Sequence, residues 1–246
     1  MNDDLRFAES LADAADAVTM ERFRALDLRV ETKPDLTPVS EADRRAEEVI
    51  REAVRASGRG EGVLGEEFGD DGGDVRWIVD PIDGTTSFVR GVPVWATLLA
   101  LEREGVVDLG YVSAPALGRR WWALRGEGAF AAGEPCHVSA IERIEDAAVS
   151  TTSSRRMPEG WRTIVRRAWS NRGLGDFWQH CLLAEGSVDI ACDPVMQVWD
   201  YAAVVLLVEE AGGRCTTFTG GPPAAGESFV TTNGLLHDEA VAHLRN

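Results

Sequence analysis

The sequence predicts a layered α/β protein with helices packed between sheets, and three observations carry that expectation. Apolar residues recur at three- and four-residue steps in some stretches and gather into short strand-like runs in others. Helical stretches and strand groups alternate along the whole chain. No stretch reads as a flexible linker, an internal repeat or a low-complexity tract. Stacked layers are how such a chain buries the apolar side of both kinds of element. Its 246 residues suffice for one large domain or two small ones, with a substantial core.

From the N-terminus, Leu5, Ala8, Leu11, Ala15 and Val18 mark an amphipathic helix over residues 3–26. ETKPDLTP, residues 31–38, contains two prolines and reads as a loop. Ser40 with Asp43 fits a capping box and opens a second helix that runs to about Gly58. VLGEE and WIVD read as short buried strands joined by the polar GDDGGD. VWATLLALE, VVDLGYVSA and RRWWALR, parted by EREG and PALG, predict an antiparallel meander. DAAVSTTS is a further strand, GWRTIVRRAW a helix, and DFWQHCLLAEG a helix stopped by Gly186. VDIAC is a strand, and DYAAVVLLVEEAGG a helix that opens at Asp200 and closes on Gly212 and Gly213. CTTF and SFVTT are strands, and the last dozen residues form a helix.

Twenty-five basic residues stand against 41 acidic ones, a net charge of −16. That balance argues against a surface that binds nucleic acid or an anionic membrane. It leaves an anionic substrate open, because a bound metal reverses the local field. No stretch approaches the ~18 apolar residues of a membrane span. The N-terminal MNDDLRF carries acids where a signal peptide carries positive charge, so a soluble, cytoplasmic protein is expected. Cys136, Cys181, Cys192 and Cys215 are scattered without a CxxC pair and read as reduced structural thiols.

The most informative stretch is WIVDPIDGTTSF, residues 77–88. Asp80 ends an apolar run, Pro81 restricts the turn, and Asp83 curls back beside Asp80 with the Ile82 carbonyl between them. Two carboxylates this close repel unless a cation neutralises them, and carboxylate and carbonyl oxygens suit hard cations. Gly84 lets a ligand approach the backbone, and Thr85 and Thr86 begin a helical turn whose free N–H groups face an anion. The same residues also read as a solvated turn with an Asp helix cap. Glu66 and Glu67, directly after VLG, read as further ligands or as surface acids. Asp200, before YAAVV, reads as a ligand or as a helix N-cap.

GEE, then DPIDGT, then WD before a helix ending in a Gly pair, in that order, resemble the Mg²⁺-dependent inositol-monophosphatase superfamily. The resemblance runs from TKPDLTPVSEAD to NGLLHDE. It implies an alternating α-β-α-β-α sandwich, a homodimer, and one catalytic domain over 1–246. An N-terminal lobe of about residues 1–140 would carry the metal loop, and a C-terminal lobe of about 141–246 Asp200 and the substrate-recognition segments. It implies two or three Mg²⁺ ions: Glu66, Asp80 and the Ile82 carbonyl around one, Asp80, Asp83 and Asp200 around a second, and Glu66 touching a weaker third. Gly84 and Thr85 would contact phosphate through their N–H groups. Thr85, with Asp43 behind it, would orient the attacking water. Lys33 would sit near the mouth of the site on a mobile loop, and Glu67 behind the ligands.

Within the superfamily, DLTPVSEADR, VLGEEFG, FVRGVPVWATLLAL, SAPALGRRWWA and GDFWQHCLLAEGSVDIA are similar to actinobacterial-type histidinol-phosphate phosphatases. That implies hydrolysis of L-histidinol phosphate, a step of histidine biosynthesis, by metal-assisted in-line attack of water. Histidinol carries an ammonium and an imidazole, so its pocket should offer acids beyond the metal ligands. Asp176 and Asp193 are the candidates. The superfamily uses the position of Asp193, usually as glutamate, to contact the alcohol. Asp176 reads equally as a cap of the helix that follows. Trp178 and Arg90 read as mouth residues or as a core Trp and a surface Arg. The loop DGTTSF departs from the Lys-Asn that histidinol-type enzymes usually carry at positions 86 and 87, and from the Thr-Asn of inositol phosphatases. An inositol-1-phosphate or broad sugar-phosphate phosphatase is therefore the alternative. A non-catalytic interaction protein on the same fold is a further one, against which the intact set Glu66, Asp80, Asp83, Thr85 and Asp200 argues. A bisphosphate nucleotidase is disfavoured, since no basic cluster offers to hold a second phosphate.

Overall fold

The computed structural model describes residues 2–33 and 38–245. Helices α1 (Asp3–Arg22) and α2 (Glu41–Ala56) flank a short hairpin of β1 (Val30–Thr32) and β2 (Pro38–Ser40). Then come β3 (Gly62–Gly65), β4 (Gly69–Asp70), β5 (Val75–Asp83), the short α3 (Thr85–Val89), β6 (Ala96–Arg103), β7 (Val106–Ala114), β8 (Arg119–Leu124), β9 (Gly128–Ala131) and β10 (Glu134–Cys136). The remainder is β11 (Ala148–Thr151), α4 (Glu159–Arg167), β12 (Ser170–Arg172), α5 (Asp176–Ala184), β13 (Ile190–Met196), α6 (Val198–Glu210), β14 (Arg214–Thr216), β15 (Glu227–Thr232) and α7 (His237–Leu244).

Strand side chains alternate between faces, and that alternation builds the layers. In the eight-stranded sheet, ordered β10-β9-β8-β7-β6-β5-β3-β4, Trp77, Val79, Leu99, Leu101 and Tyr111 pack against Leu11, Ala15 and Ile50 of α1 and α2. From the other face, Ile78, Leu98, Ala100 and Val112 meet Phe177 of α5 and Val204 and Leu207 of α6. Ala191 and Phe229 of the five-stranded sheet, ordered β12-β11-β13-β15-β14, close the same core from beyond those helices. α6 is therefore covered on both sides, which is why its buried residues run almost unbroken from Ala202 to Val208. It lies so near the large sheet that a Cβ on Gly110 would stand 2.5 Å from the Ala203 carbonyl oxygen. On the far face of the small sheet, Ile190, Cys192 and Val230 pack on Trp161 and Ile164 of α4 and Val241 and Leu244 of α7. The stack is helices, sheet, helices, sheet, helices: the expected α-β-α-β-α sandwich.

Several boundaries differ from the sequence-based expectation for tertiary reasons. α1 stops at Arg22, not at residue 26, because Phe23 turns to pack on Phe88 and Trp95, and Arg24, at φ 63°, donates to the Gly91 carbonyl. Within the stretch read as a loop, Val30–Thr32 and Pro38–Ser40 pair as antiparallel strands, while residues 34–37 lie outside the described residues. β5 and β13 each run past their Asp-Pro dipeptide, where the sequence suggested a strand end. β12, a short polar edge strand, carries no apolar signal. All four cysteines are buried and unpaired. No helix among the described residues is long and apolar enough to cross a membrane.

Candidate active site

Where β5 leaves the core, its pairing with β6 slips. Asp80 lies opposite Leu98 and Asp83 opposite Ala96, three residues against two. In a regular strand, residues three apart point to opposite faces; the extra residue of this β-bulge brings both carboxylates to one side. Pro81 is a suitable bulge residue because it has no ladder N–H to lose, and the Thr97 hydroxyl on β6 donates to its carbonyl at 2.9 Å. Asp200 arrives from the first turn of α6. Asp80, Asp83 and Asp200 each offer an oxygen, and the three atoms lie within 4.8 Å of one another.

Each of these acids spends one oxygen on a backbone amide. Ile82 N–H donates to Asp80 at 3.0 Å, Phe177 N–H to Asp83 at 2.5 Å and Gln197 N–H to Asp200 at 2.7 Å. The N-cap reading of Asp200 is corrected: Gln197 is the N-cap of α6, and Asp200, at the third helical position, closes a capping box onto the Gln197 N–H while its other oxygen joins the cluster. The remaining oxygens face a cavity of about 490 Å³, lined also by Glu66, Gly84, Thr85, Thr86 and Asp176.

Gly84 is required twice over. It sits at φ 86°, and a Cβ there would stand 3.0 Å from the Val94 carbonyl oxygen and 3.3 Å from Asp176 Oδ2. α3 starts directly after it, so the amides of its first turn have no intrahelical acceptor. The Thr85 hydroxyl lies 3.0 Å from both Asp43 Oδ1 and the Ile82 carbonyl oxygen. Asp43 is fully buried, its other oxygen held by the backbone N–H and hydroxyl of Ser40 in the predicted capping box. The single Thr85 proton goes to one of these two acceptors, which leaves the lone pairs of its oxygen for a donor in the cavity.

Glu66 reaches the cavity wall, and its Oε1 lies 2.7 Å from Lys33 Nζ, which also meets Glu67 at 2.6 Å. Burial works against the Lys33 charge, but the two carboxylates outweigh it and raise its pKa. Glu66 is therefore ion-paired beside the three-aspartate group rather than within it. The turn that carries Glu66 is fixed from below by Glu47, a residue of α2 that the sequence reading did not single out. Glu47 is wholly buried and accepts from the N–H groups of Glu67 (2.7 Å) and Phe68 (3.2 Å) and from Arg51 Nε (2.8 Å).

Asp176 and Asp193 have different placements. Asp176 lines the cavity, at φ 48°, and among the described residues its carboxylate accepts no hydrogen bond and forms no ion pair. α5 has no side-chain cap, so the capping reading of Asp176 does not hold. Asp193 is not on the cavity wall, contrary to the expectation that it contacts substrate. Its oxygens are taken by the Thr152 hydroxyl, by Gln179 Nε2 at 2.7 Å and by His180 Nε2 at 2.8 Å. Trp178 packs against the central core and Arg90 is an exposed residue off the cavity. Arg156 and Trp199 line the cavity and were not foreseen; WD pointed at the aspartate, and SSRR carried no periodic signal.

The charge state of the cluster follows from its crowding. Burial, then repulsion from Glu66, Asp83 and Asp200, lifts Asp80 well above the usual carboxylate range. Burial, then Asp176 and Asp200, does the same to Asp83. Burial first, with neighbouring acids behind it, pushes Asp200 up to about 7 and Asp176 up to about 6. Burial also raises Glu66 and Asp43, against the pull of Lys33 and Ser40 respectively. Three all-oxygen donors, preset by backbone amides and lacking a basic partner, fit a hard divalent cation such as Mg²⁺.

A five-layered sandwich with an acid cluster on a bulged strand, beside a helix start that offers free amides, defines a class of metal-assisted phosphate chemistry. The chain matches the inositol monophosphatase family over residues 1–246, and it belongs to that family. It is 50% identical to a histidinol-phosphatase of Mycobacterium tuberculosis, over 99% of this chain and 98% of that one. It is 49% identical to a histidinol-phosphatase of Streptomyces coelicolor, over 98% and 97% of the two chains. Among solved structures it is similar to an IMPase of Thermotoga maritima, with a TM-score of 0.93 and 34% identity over 99% of this chain and 97% of that one.

Proposed function

We propose that the protein is a Mg²⁺-dependent phosphate monoester hydrolase that converts L-histidinol phosphate and water to L-histidinol and phosphate, in histidine biosynthesis. The observation that carries the substrate is Asp176. It is a carboxylate on the cavity wall without an ion-pair partner among the described residues, beside the three-aspartate group but outside it. A cationic alcohol answers such a group, whereas a neutral polyol leaves it desolvated and unpaired. The names of the two actinobacterial relatives support the same reading.

Asp80, Asp83 and Asp200 would hold the metal, with Glu66 and the Ile82 carbonyl beside them. When bound, Mg²⁺ supplies the charge neutralisation and Lewis acidity that a phosphate dianion and an alkoxide leaving group require. The amides of Gly84, Thr85 and Thr86 offer donors to phosphate oxygens. Thr85, its proton engaged by Asp43 or Ile82, accepts from a water and turns that water's lone pair toward phosphorus. Glu66 is held beside the metal-binding carboxylates by the turn that Glu47 fixes, and there it pairs with Lys33. Resemblance to the family supports two or three Mg²⁺ per site, a homodimer and residence in the cytoplasm, with the lobes divided near residue 140.

The test is a side-by-side rate comparison at saturating Mg²⁺. A charged hydrogen bond typically contributes ~1.5–3 kcal/mol, on the order of ten- to a hundredfold. The kcat/KM for L-histidinol phosphate should therefore exceed that for myo-inositol 1-phosphate by at least about tenfold through Asp176 alone. Equal rates would move the assignment to an inositol-phosphate or broad sugar-phosphate phosphatase.

A further inference from the structure

Asp176 holds an uncomfortable backbone conformation. A non-glycine residue at φ 48° opens α5, directly after Gly175 at φ 70°. Such conformations persist only where the surroundings over-determine them. Two amides at the start of α5 supply that constraint. Phe177 N–H is held by Asp83 of the metal loop at 2.5 Å. Asp176 N–H is held by the Thr152 hydroxyl oxygen at 2.9 Å.

The direction of the Thr152 hydroxyl is itself fixed. Its partner Asp193 is a carboxylate and only accepts, so Thr152 must donate to it. That donation turns the Thr152 lone pairs toward Asp176 N–H. Asp193 is held in turn on its second oxygen by Gln179 Nε2 and His180 Nε2, and His180 Nδ1 meets the Thr231 hydroxyl at 2.8 Å. Asp193 is 4% exposed and His180 wholly buried, so no solvent competes for these bonds.

We propose that Asp193 is a positioning residue that acts through Thr152. It holds Asp176 in its left-handed conformation, so that the Asp176 carboxylate is presented to the cationic alcohol part of the phosphate ester. The inference rests on the reading of Asp176 given above. It differs from a direct contact between Asp193 and substrate, for which Asp193 has no free oxygen in this structure.

The experiment is a double-mutant cycle read as a ratio: kcat/KM for L-histidinol phosphate divided by kcat/KM for p-nitrophenyl phosphate, which has no cationic group. Asp176→Asn should lower the ratio by about ten- to a hundredfold. Thr152→Val, which keeps the shape but neither donates nor accepts, should lower it by about tenfold or more, and Asp193→Asn similarly. Thr152→Ser, which keeps the hydroxyl, should retain the wild-type ratio. Combined with Asp176→Asn, Thr152→Val and Asp193→Asn should cost no more than Asp176→Asn alone. A merely structural role would slow both substrates together and leave the ratio unmoved, which overturns the proposal. So would losses that multiply in the double variants, because Asp193 would then act on the substrate by itself. Asp193→Asn tests the anchor, and if it fails to fold, the Thr152 pair carries the cycle alone. A wild type without preference for L-histidinol phosphate over myo-inositol 1-phosphate sinks the substrate reading itself; an intact preference with a failed cycle sinks only the positioning role.

Discussion

Two strands of this molecule bend at the same dipeptide. β5 bulges at Asp80-Pro81 and β13 at Asp193-Pro194, each placing three residues against two on its antiparallel neighbour. Both aspartates are nearly buried, at 2% and 4% exposure. Their surroundings are opposite. Asp193 is met by three side-chain donors, from Thr152, Gln179 and His180. Asp80 receives one backbone amide and otherwise faces Glu66, Asp83 and Asp200. A buried acid satisfied by the protein is part of its framework; a buried acid among acids needs something the protein does not supply. The same local chain geometry serves both ends.

Neutralising the two aspartates therefore has opposite consequences, and this is the largest effect expected. Asp80→Asn, Asp83→Asn and Asp200→Asn should each reduce phosphatase activity by at least about a hundredfold, because each takes a negative charge from the group proposed to hold Mg²⁺, whose charge stabilisation is worth several kcal/mol. In EDTA the Asp80→Asn protein should melt at a higher temperature than wild type, since repulsion and desolvation are relieved while Asn still accepts from Ile82 N–H. Asp193→Asn should melt lower, because the new amide N–H groups oppose the donors of His180 and Gln179. About 1–3 kcal/mol is at stake, or about 2–4 °C for each kcal/mol in a chain of this size. Melting curves in EDTA decide it: two shifts of the same sign would remove the contrast between the bulges.

A second effect, of a few degrees, follows from protons and metal competing for the same oxygens. Asp200 is pushed up to about 7 and Asp176 to about 6, chiefly by burial, and burial also raises Asp80 and Asp83 well above the usual carboxylate range. The folded, metal-free protein thus holds more protons than the unfolded chain from the ordinary carboxylate range upward. Stability from these groups is present at low pH and lost as pH rises through their folded values, up to about 1.4 kcal/mol per pH unit for each proton. The melting temperature in EDTA should fall from pH 6 to pH 8. Mg²⁺ should raise it more at pH 8 than at pH 6. A larger Mg²⁺ effect at pH 6 would contradict the arrangement.

Much of this was legible in the chain. The layers follow from apolar periodicity, and the acid cluster follows from DPIDGT and WD, with GEE marking the acid beside it. The behaviour of Asp193 was not legible, since its partners Thr152, Gln179 and His180 come from the end of β11 and from α5, and nothing local says which way they point. The two bulges were hidden for a related reason: proline read as a strand terminator, whereas register against β6 and β15 is decided across strands. Glu47 was hidden because the middle of a helix with acids and arginines looks solvated; its burial depends on Gly65, where a Cβ would stand 2.1 Å from the Glu47 carboxylate.

The smallest effect sharpens the comparison most, because it applies one change to both bulges. Replacing either proline by alanine frees the unfolded chain by a similar amount, so Pro81→Ala and Pro194→Ala should each cost about 0.4–1 kcal/mol of stability through that term. Any difference between them belongs to the folded bulge. At Pro81 the bulge sets how Asp80 and Asp83 converge, and its carbonyl is held by Thr97 from β6. At Pro194 the neighbouring acid is anchored by three donors whatever the proline does. Pro81→Ala should accordingly weaken Mg²⁺ binding measured by calorimetry several-fold, less than the about ten- to a hundredfold expected for losing a group that orients a ligand. Pro194→Ala should leave Mg²⁺ binding within error of wild type while melting at a similarly reduced temperature. Equal Mg²⁺ affinities in the two variants would show that the backbone of the β5 bulge, unlike its carboxylates, does not set the metal site.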